Sequence, residues 1–284
     1  MVLISSPVHF PRLKRILLAV VSLFALFYIG AAITLALKDD SIAVFEGPTA
    51  NYDTIAIFGA SGTAGDGILK AALANPDITK IHVITRRATP RIEEGVASGK
   101  IQMTLHMDYL DYSAVREQMA DADAVYWAIG ISSVGVDEET YGMIHVDFPA
   151  RFVADWTNVS VKSDISFHYI SSSDISEDSS AMWAREKVRA ERTLFELAES
   201  TNLRVIAYRP DYIGPTGEEA HIGQDLLYWF FAPVGVAVKA EQIGKAMFEI
   251  TARGSEFENG DKIGTRSIVR YSDAFDRRQV SVQR

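Results

Sequence analysis

Short apolar runs alternate with amphipathic stretches through most of the chain. Thr54-Ile55-Ala56-Ile57-Phe58 predicts a first strand, followed by a helix over about 65–75 that Pro76 stops. Strands are predicted at Lys80–Thr85, Ile101–Leu105, 124–129, Ile165–Ile170 and 203–208. Helical spacing separates them at 112–120, 141–159 and 183–200. The strands are apolar without clean in-out alternation, as strands covered on both faces are. Strand and helix in turn predict an α/β domain over 52–284, a doubly wound parallel sheet with a substrate-side region from about 210. Past Arg209-Pro210 the regularity weakens. Residues 226–238 carry no charge and hold Tyr228, Trp229, Phe230 and Phe231. That run is too short to span a bilayer. It reads as core or substrate-pocket wall, with a patch dipping into a membrane as the sharper alternative.

The N-terminus follows a different pattern. A short basic segment, 1–15, precedes 16–37, which contains no charged residue. As a helix rising about 1.5 Å per residue, the stretch spans roughly 30 Å, the thickness of a hydrocarbon core. It is longer than a signal-peptide core and no clean cleavage site follows it. One transmembrane helix is therefore expected ahead of the α/β domain. A cleaved signal, a targeting segment and a buried core helix are the alternatives. Arg12, Lys14 and Arg15 precede the run, and Lys38 is the one basic residue at its far end. This bias favours a single-pass protein with its main domain lumenal or exterior. The sequon Asn158-Val159-Ser160 would be usable on that side. Residues 38–51 read as a linker with Gly47-Pro48 as a breaker.

Composition narrows the chemistry. The 284 residues carry a net charge of −9 and no cysteine. An acidic chain repels phosphate backbones, so nucleic acid is not an expected partner. Without cysteine there are no disulfides, thiolate nucleophiles or Cys-based zinc sites. The six histidines have no metal-ligand spacing, so no metal site is expected. Asp137-Glu138-Glu139 and Glu218-Glu219 read as solvated loop acids.

The candidate chemistry lies between the first strand and its helix, in Gly59-Ala60-Ser61-Gly62-Thr63-Ala64-Gly65. The first glycine allows a tight turn, the second lets backbone approach a pyrophosphate, and the third lets helix and strand pack closely. The helix N-terminus adds N–H groups and a partial positive charge. Ser61 and Thr63 can add hydroxyl donors. The second strand ends in Thr85-Arg86-Arg87, with no carboxylate for the ribose hydroxyls of NAD(H). Arg86 and Arg87 suit the 2′-phosphate of NADP(H), which is favoured over NAD(H). Asp108, after the third strand, is placed to accept from the adenine amino group, or to cap a turn before Tyr109.

With Ala128-Ile129-Gly130, Ser171-Ser172-Ser173, Lys187 and Arg209-Pro210 in the same order, the chain resembles the short-chain dehydrogenases/reductases over roughly residues 53–272. Gln242-Ile243-Gly244-Lys245-Ala246-Met247 and Glu258-Asn259-Gly260-Asp261-Lys262-Ile263 look like the end of the atypical branch with the NmrA-like regulators and the HIV Tat-interactive protein. The resemblance implies a Rossmann fold, with Gly59, Ser61, Gly62, Thr63, Gly65, Arg86, Arg87, Asp108, Ala128, Ile129, Gly130 and Lys187 around the dinucleotide. It also implies a Tyr-x-x-x-Lys pair and an upstream serine. The phenol exchanges a proton with substrate, the lysine holds the nicotinamide ribose and lowers the phenol pKa, and the serine holds the carbonyl. Ser172 or Ser173 matches the serine and Lys187 the lysine. Trp183 stands in the tyrosine position. Its indole N–H donates but does not titrate near neutral pH.

Two functions follow as expectations. One is a membrane-anchored NADP(H)-binding protein with a degenerate or altered site, acting as a redox sensor or as a scaffold for a protein partner. The other is an NADPH-dependent reductase of a hydrophobic carbonyl or lipid-like substrate, with Tyr169, Tyr141 or His145 in place of the missing phenol. A solvated Lys187 is the plain alternative to a ribose-binding one.

Overall fold

The structure is a computed structural model that describes residues 11–47, 49–216 and 222–282. Residues 1–10, Pro48 and Glu218-Glu219 lie outside the described residues, as does the side chain of Arg12. The order is α1 (Pro11–Leu37), β1 (Thr54–Phe58), α2 (Thr63–Ala74), β2 (Lys80–Thr85), α3 (Pro90–Ala97) and β3 (Ile101–Leu105). A helical turn and α4 (Arg116–Met119) lead to β4 (Ala124–Trp127), then α5 (Glu138–Gly142), a π-helical turn at Met143–Asp147, and α6 (Phe148–Val159). Then come β5 (Ile165–Ile170), α7 (Met182–Ala198), β6 (Leu203–Arg209) and β7 (Tyr212–Gly214). The chain continues with α8 (Ile222–Phe231), β8 (Ala237–Lys239), α9 (Ala240–Arg253), β9 (Lys262–Gly264) and α10 (Thr265–Val282).

Seven parallel strands form one sheet in the order β3-β2-β1-β4-β5-β6-β9, and β7 pairs with β8 separately. Alternate side chains of the strands between the edges, β2, β1, β4, β5 and β6, feed two cores. Ile55 and Ile57 of β1 pack on one face with Ile68, Leu69 and Phe248. Ala56 and Phe58 pack on the other with Phe152, Trp127 and Trp156. Burial on both faces explains why the strands show no polar alternation. One buried polar network crosses the first core. His168 reaches the Tyr208 hydroxyl (2.9 Å) and Thr251 (3.0 Å), and Thr251 meets the Tyr126 hydroxyl (2.9 Å).

Several expected boundaries move for physical reasons. The helix expected from 65 starts at Thr63, because Gly62 already closes the turn. The fourth strand ends at Trp127, where the backbone turns against Gly59. The helix over 112–120 is only a short turn and the four-residue α4. The helix over 141–159 is interrupted by the π-helical turn. The run 226–238 is not one element: Leu226 and Trp229 of α8 are both 70% exposed, so the core reading is corrected there, while Ala237 and Val238 of β8 are buried. Asp137 is not simply a solvated acid, since it caps α5 by accepting the Thr140 N–H at 2.8 Å.

Helix α1 includes a 24-residue stretch, Lys14–Leu37, that is long and apolar enough to cross a membrane. None of its most apolar window is buried, so the buried-helix alternative does not hold. The segment after it is no loose linker. Asp40 pairs with Arg266 and Arg270, Arg277 donates to the Ile42 carbonyl (2.8 Å), and Arg253 donates to the Ala43 carbonyl (2.6 Å). Arg253 and Arg278 in turn share the fully buried Glu249 at 2.9 and 2.7 Å. Arg278 also reaches Asp77 (3.0 Å) and the Tyr52 hydroxyl (3.2 Å).

Removing one charge from such a cluster strands the others out of water. Glu249→Gln is expected to lower the unfolding free energy by about 3–5 kcal/mol. Urea unfolding of the full chain in detergent checks this; a loss below about 1 kcal/mol would mean that the cluster is effectively solvated.

Candidate functional site

The sheet order reverses between β1 and β4, so the loops leaving these strands diverge to opposite faces. The crevice between them is where open α/β sheets bind ligands. Gly59 leaves β1 with φ +80°. A Cβ there would lie 2.6 Å from the carbonyl carbon of Ala128. A Cβ on Gly65 would lie 2.1 Å from the Gly59 oxygen. The chain's own packing therefore demands both glycines. Gly62 is different. Its φ of −102° and ψ of 166° suit any residue, and a Cβ would meet only the Gly59 oxygen at 3.5 Å. Nothing inside the protein requires a glycine there. The residue faces a cleft, and α2 begins beside it without a side-chain cap.

The cleft measures about 180 Å³. It brings together Gly59, Ser61, Gly62, Arg86, Arg87, Ala128, Ile129 and Gly130, all expected from the sequence. Thr63 is exposed at the start of α2 and lies outside the lining, while Gly65 is buried behind it. Arg87 crosses to the Ser61 carbonyl at 3.1 Å, and its own carbonyl accepts from Thr85 at 2.9 Å. Arg86 is exposed on the lining. Asp108 is outside the lining and accepts the Leu110 N–H at 3.0 Å, which caps its own turn. Tyr109 forms the wall instead, its phenol pushed up by burial against the opposing charge of Arg86. Its position directly after Asp108 was the available signal.

His145 lies behind the other wall. A Cβ on Gly130 would come within 2.8 Å of the His145 ring. Its Nε2 is 3.3 Å from both the N–H and the carbonyl of Ile131, and its Nδ1 has no partner. Burial, aided by the charge of Lys187, pushes its pKa down to about 3.

Lys187 is buried, so the solvated-charge reading is corrected. Its Nζ donates to the Ile170 carbonyl (2.9 Å) and the Tyr169 hydroxyl (3.2 Å). The Tyr169 hydroxyl donates to the His145 carbonyl (3.1 Å), and the Tyr141 ring packs 4.1 Å from the His145 ring. One network thus joins α5, the π-helical turn, β5 and α7. Burial drags the Lys187 pKa down to about 7, with Glu191 opposing. Burial also raises Tyr169 well above its ordinary value and Tyr141 to about 12. Tyr169 is fully buried and Tyr141 nearly so, so neither offers a phenol to a ligand in the cleft.

Ser172 and Ser173 are half-buried on the loop after β5, where the Ser173 N–H bonds the Pro210 carbonyl at 3.1 Å. Ser171, not singled out as catalytic from the sequence, is the buried serine of the three, and its Oγ has no partner. Asp174 follows with φ +54°, the one non-glycine with positive φ among the described residues. Trp183 is half-exposed, one turn before Lys187 on α7. Buried Glu191 holds Arg209 at 2.8 Å, fastening α7 to the end of β6.

No family model matches the chain, and no curated protein is significantly similar to it. Solved structures are. A short-chain dehydrogenase/reductase from Saccharomyces cerevisiae superposes with a TM-score of 0.59 at 12% identity, covering 75% of this chain and 96% of its own. A 3-oxoacyl-acyl-carrier-protein reductase from Brucella melitensis, solved with NAD, gives 0.58 at 15% identity, covering 78% and 98%. A UDP-glucuronic acid 4-epimerase from Bacillus cereus, also solved with NAD, gives 0.56 at 15%, covering 74% and 77%. The fold is that of the short-chain dehydrogenases/reductases.

The low Lys187 pKa sets a pH dependence. The unfolded lysine, near its ordinary 10.5, binds more protons than the folded one at about 7. Folding stability therefore rises with pH between about 7 and 10.5. Urea midpoints at pH 7, 8 and 9 are expected to climb, and Lys187→Met to flatten the climb. A shift equal at every pH would refute this.

Proposed function

We propose that the chain is a membrane-anchored, NADP(H)-binding protein of the short-chain dehydrogenase type, with an altered active site suited to binding over turnover. The observation that carries this reading is Gly62, a glycine that the fold does not require, at the mouth of a cleft that also gathers Arg86 and Ala128-Ile129-Gly130. The uncapped start of α2 and the room over Gly62 fit a pyrophosphate. Arg86, exposed on the same wall with no carboxylate beside it at the end of β2, fits a 2′-phosphate. Asp108 would serve the adenine only by giving up its turn. Lys187 would hold the nicotinamide ribose by exchanging a partner in its buried network. A bound dinucleotide would supply hydride chemistry.

What the chain lacks for turnover is a titrating hydroxyl at 183. Indole does not release a proton near neutral pH, and the buried phenols of Tyr169 and Tyr141 do not replace it. Helix α1 supports membrane attachment, and the charge bias at its ends favours a domain on the lumenal or exterior side. In this reading the protein reports NADP(H) to a partner as a sensor or scaffold. The second reading, a reductase of a hydrophobic carbonyl with Ser172 or Ser173 holding the substrate, draws support from His145. Its unpartnered Nδ1 lies behind the cleft wall, and a neutral imidazole can donate a hydrogen bond.

Two measurements test these readings. Calorimetry on the full chain in nanodiscs is expected to give NADPH binding that Gly62→Ala weakens at least about tenfold, about 1.4 kcal/mol, with unfolding unchanged. Arg86→Ala is expected to cost NADPH more than NADH. Equal losses would refute the 2′-phosphate role, and no binding of either nucleotide would sink both readings. In carbonyl-reduction assays, Trp183→Tyr is expected to gain activity over the native chain. Robust turnover by the native chain would reject the altered-site reading.

A further inference from the structure

The exposed apolar surface of the domain lies beside α1. Tyr28 of α1 donates to the Phe230 carbonyl at 2.5 Å and stacks on the Phe230 ring, centroids 5.2 Å apart. Tyr28 precedes Leu37, the end of α1, by roughly 14 Å at about 1.5 Å per residue. Half of a hydrocarbon core is about 15 Å. The α8 segment therefore runs alongside the half of α1 that would occupy one leaflet. A bilayer that accommodates α1 over its length has no room to leave α8 in water.

The chemistry of α8 matches that position. Leu226 and Trp229 are 70% exposed, and Phe230 is exposed beside them. No charge occurs between Asp225 and Lys239. Lys239 lies over the Tyr228 ring at 5.3 Å, a cation held at the edge of an apolar surface. Between α1 and α8 lies a groove of about 530 Å³ whose lining, including Phe24, Phe27, Phe231 and Val236, is almost wholly apolar. A polar belt sits where α1 ends. Asp40 pairs with Arg266 and Arg270 there, and Arg266 donates to the Leu35 carbonyl at 3.3 Å.

We propose that α8 and the following turn are embedded in the acyl chains of the leaflet holding the C-terminal half of α1, with a lipid tail filling the groove. The domain is then seated in the membrane surface, not tethered above it. Behind α8 the chain packs onto the domain. The Tyr212 ring is 6.4 Å from Phe231, and Thr216 donates to Asp66 of α2 at 2.7 Å. The inference rests on the anchor reading of α1, and its test separates the two.

The cysteine-free chain permits single-site labelling. Leu226→Cys, Leu18→Cys and Leu105→Cys place a fluorophore on exposed leucines of α8, α1 and β3. Each full-length variant is reconstituted in phosphatidylcholine vesicles, with or without a mid-chain doxyl quencher. The label at 226 is expected to be quenched by doxyl lipid as strongly as the label at 18 and to be insensitive to aqueous iodide. The label at 105 is expected to behave in the opposite way. In the unlabelled chain, Trp229→Phe is expected to remove the lipid-quenched tryptophan emission. Lipid quenching at 18 with iodide quenching at 226 would overturn the proposal and leave the anchor standing. Iodide quenching at both would remove the anchor and the proposal together. Protection of 226 from both quenchers would mean that protein, such as a second copy, covers α8, and would equally overturn it.

Discussion

The close approach of Gly59 to the Ala128-Ile129 backbone is the constraint on which the candidate site depends. With 2.6 Å between a notional Cβ and the Ala128 carbonyl carbon, the loops leaving β1 and β4 touch through main chain alone. Gly65 closes the second contact, against the Gly59 oxygen. Together they draw the start of α2 down onto the sheet at the strand-order reversal. The helix N-terminus, with its dipole and unbonded N–H groups, then points into the crevice. Side chains at 59 or 65 would lift the helix away and leave no cleft for Arg86 to line. Gly62 is not required by the fold and lies on the cleft side of the loop. Two glycines thus serve the backbone, and the third leaves open room at the cleft.

The other half of the site depends on what the buried Lys187 does. An ammonium removed from water needs partners, and it finds them in the Ile170 carbonyl and the Tyr169 hydroxyl. The π-helical turn supplies the next link, because it leaves the His145 carbonyl to accept from Tyr169. The phenol that partners the lysine therefore comes from a strand inside the core. The position one helical turn away on α7, where a phenol could meet a ligand, holds an indole. Lys187 keeps uncharged partners inside the core, and the half-exposed ring one turn before it is an indole, which does not titrate near neutral pH.

Much of this was legible in the sequence because the signals were local. The strands at 80–85 and 165–170 came out to the residue, since buried parallel strands are short apolar runs between breakers, and the half-exposed edge strand at 101–105 did so as well. The glycine loop with Arg86, Arg87 and Ala128-Ile129-Gly130 did meet in one cleft, because strand ends and tight turns fix backbone positions without help from distant packing. Long-range partners decided what was missed. Tyr109 displaced Asp108 from the wall because Asp108 spends its carboxylate on Leu110. The burial of Lys187 depended on a strand residue, Tyr169, that no helix pattern reveals. The edge strand β9 and the β7–β8 pair have three residues each and too little pattern to detect. The aromatic run at 226–238 looked like core because composition does not say which face water, or lipid, will see.

The fastening of α1 gives that exposed run its meaning. A helix joined by a loose tether could hold the domain at any angle, and apolar residues on the domain would then face water for part of the time. Here the connection is clamped by the C-terminal half of the chain: Arg266 and Arg270 hold Asp40, Arg277 holds Ile42, and Arg253 holds Ala43 beneath the Phe45 ring. The clamp is anchored in turn by Glu249, whose charge both Arg253 and Arg278 need. Under the proposed seating, a rigid exit from α1 fixes which side of the domain would meet the bilayer, and that side carries Leu226, Trp229 and Phe230. In that seating, the buried ion cluster on α9 and α10 and the exposed apolar face of α8 are two ends of one arrangement, the first holding the angle that would keep the second out of water.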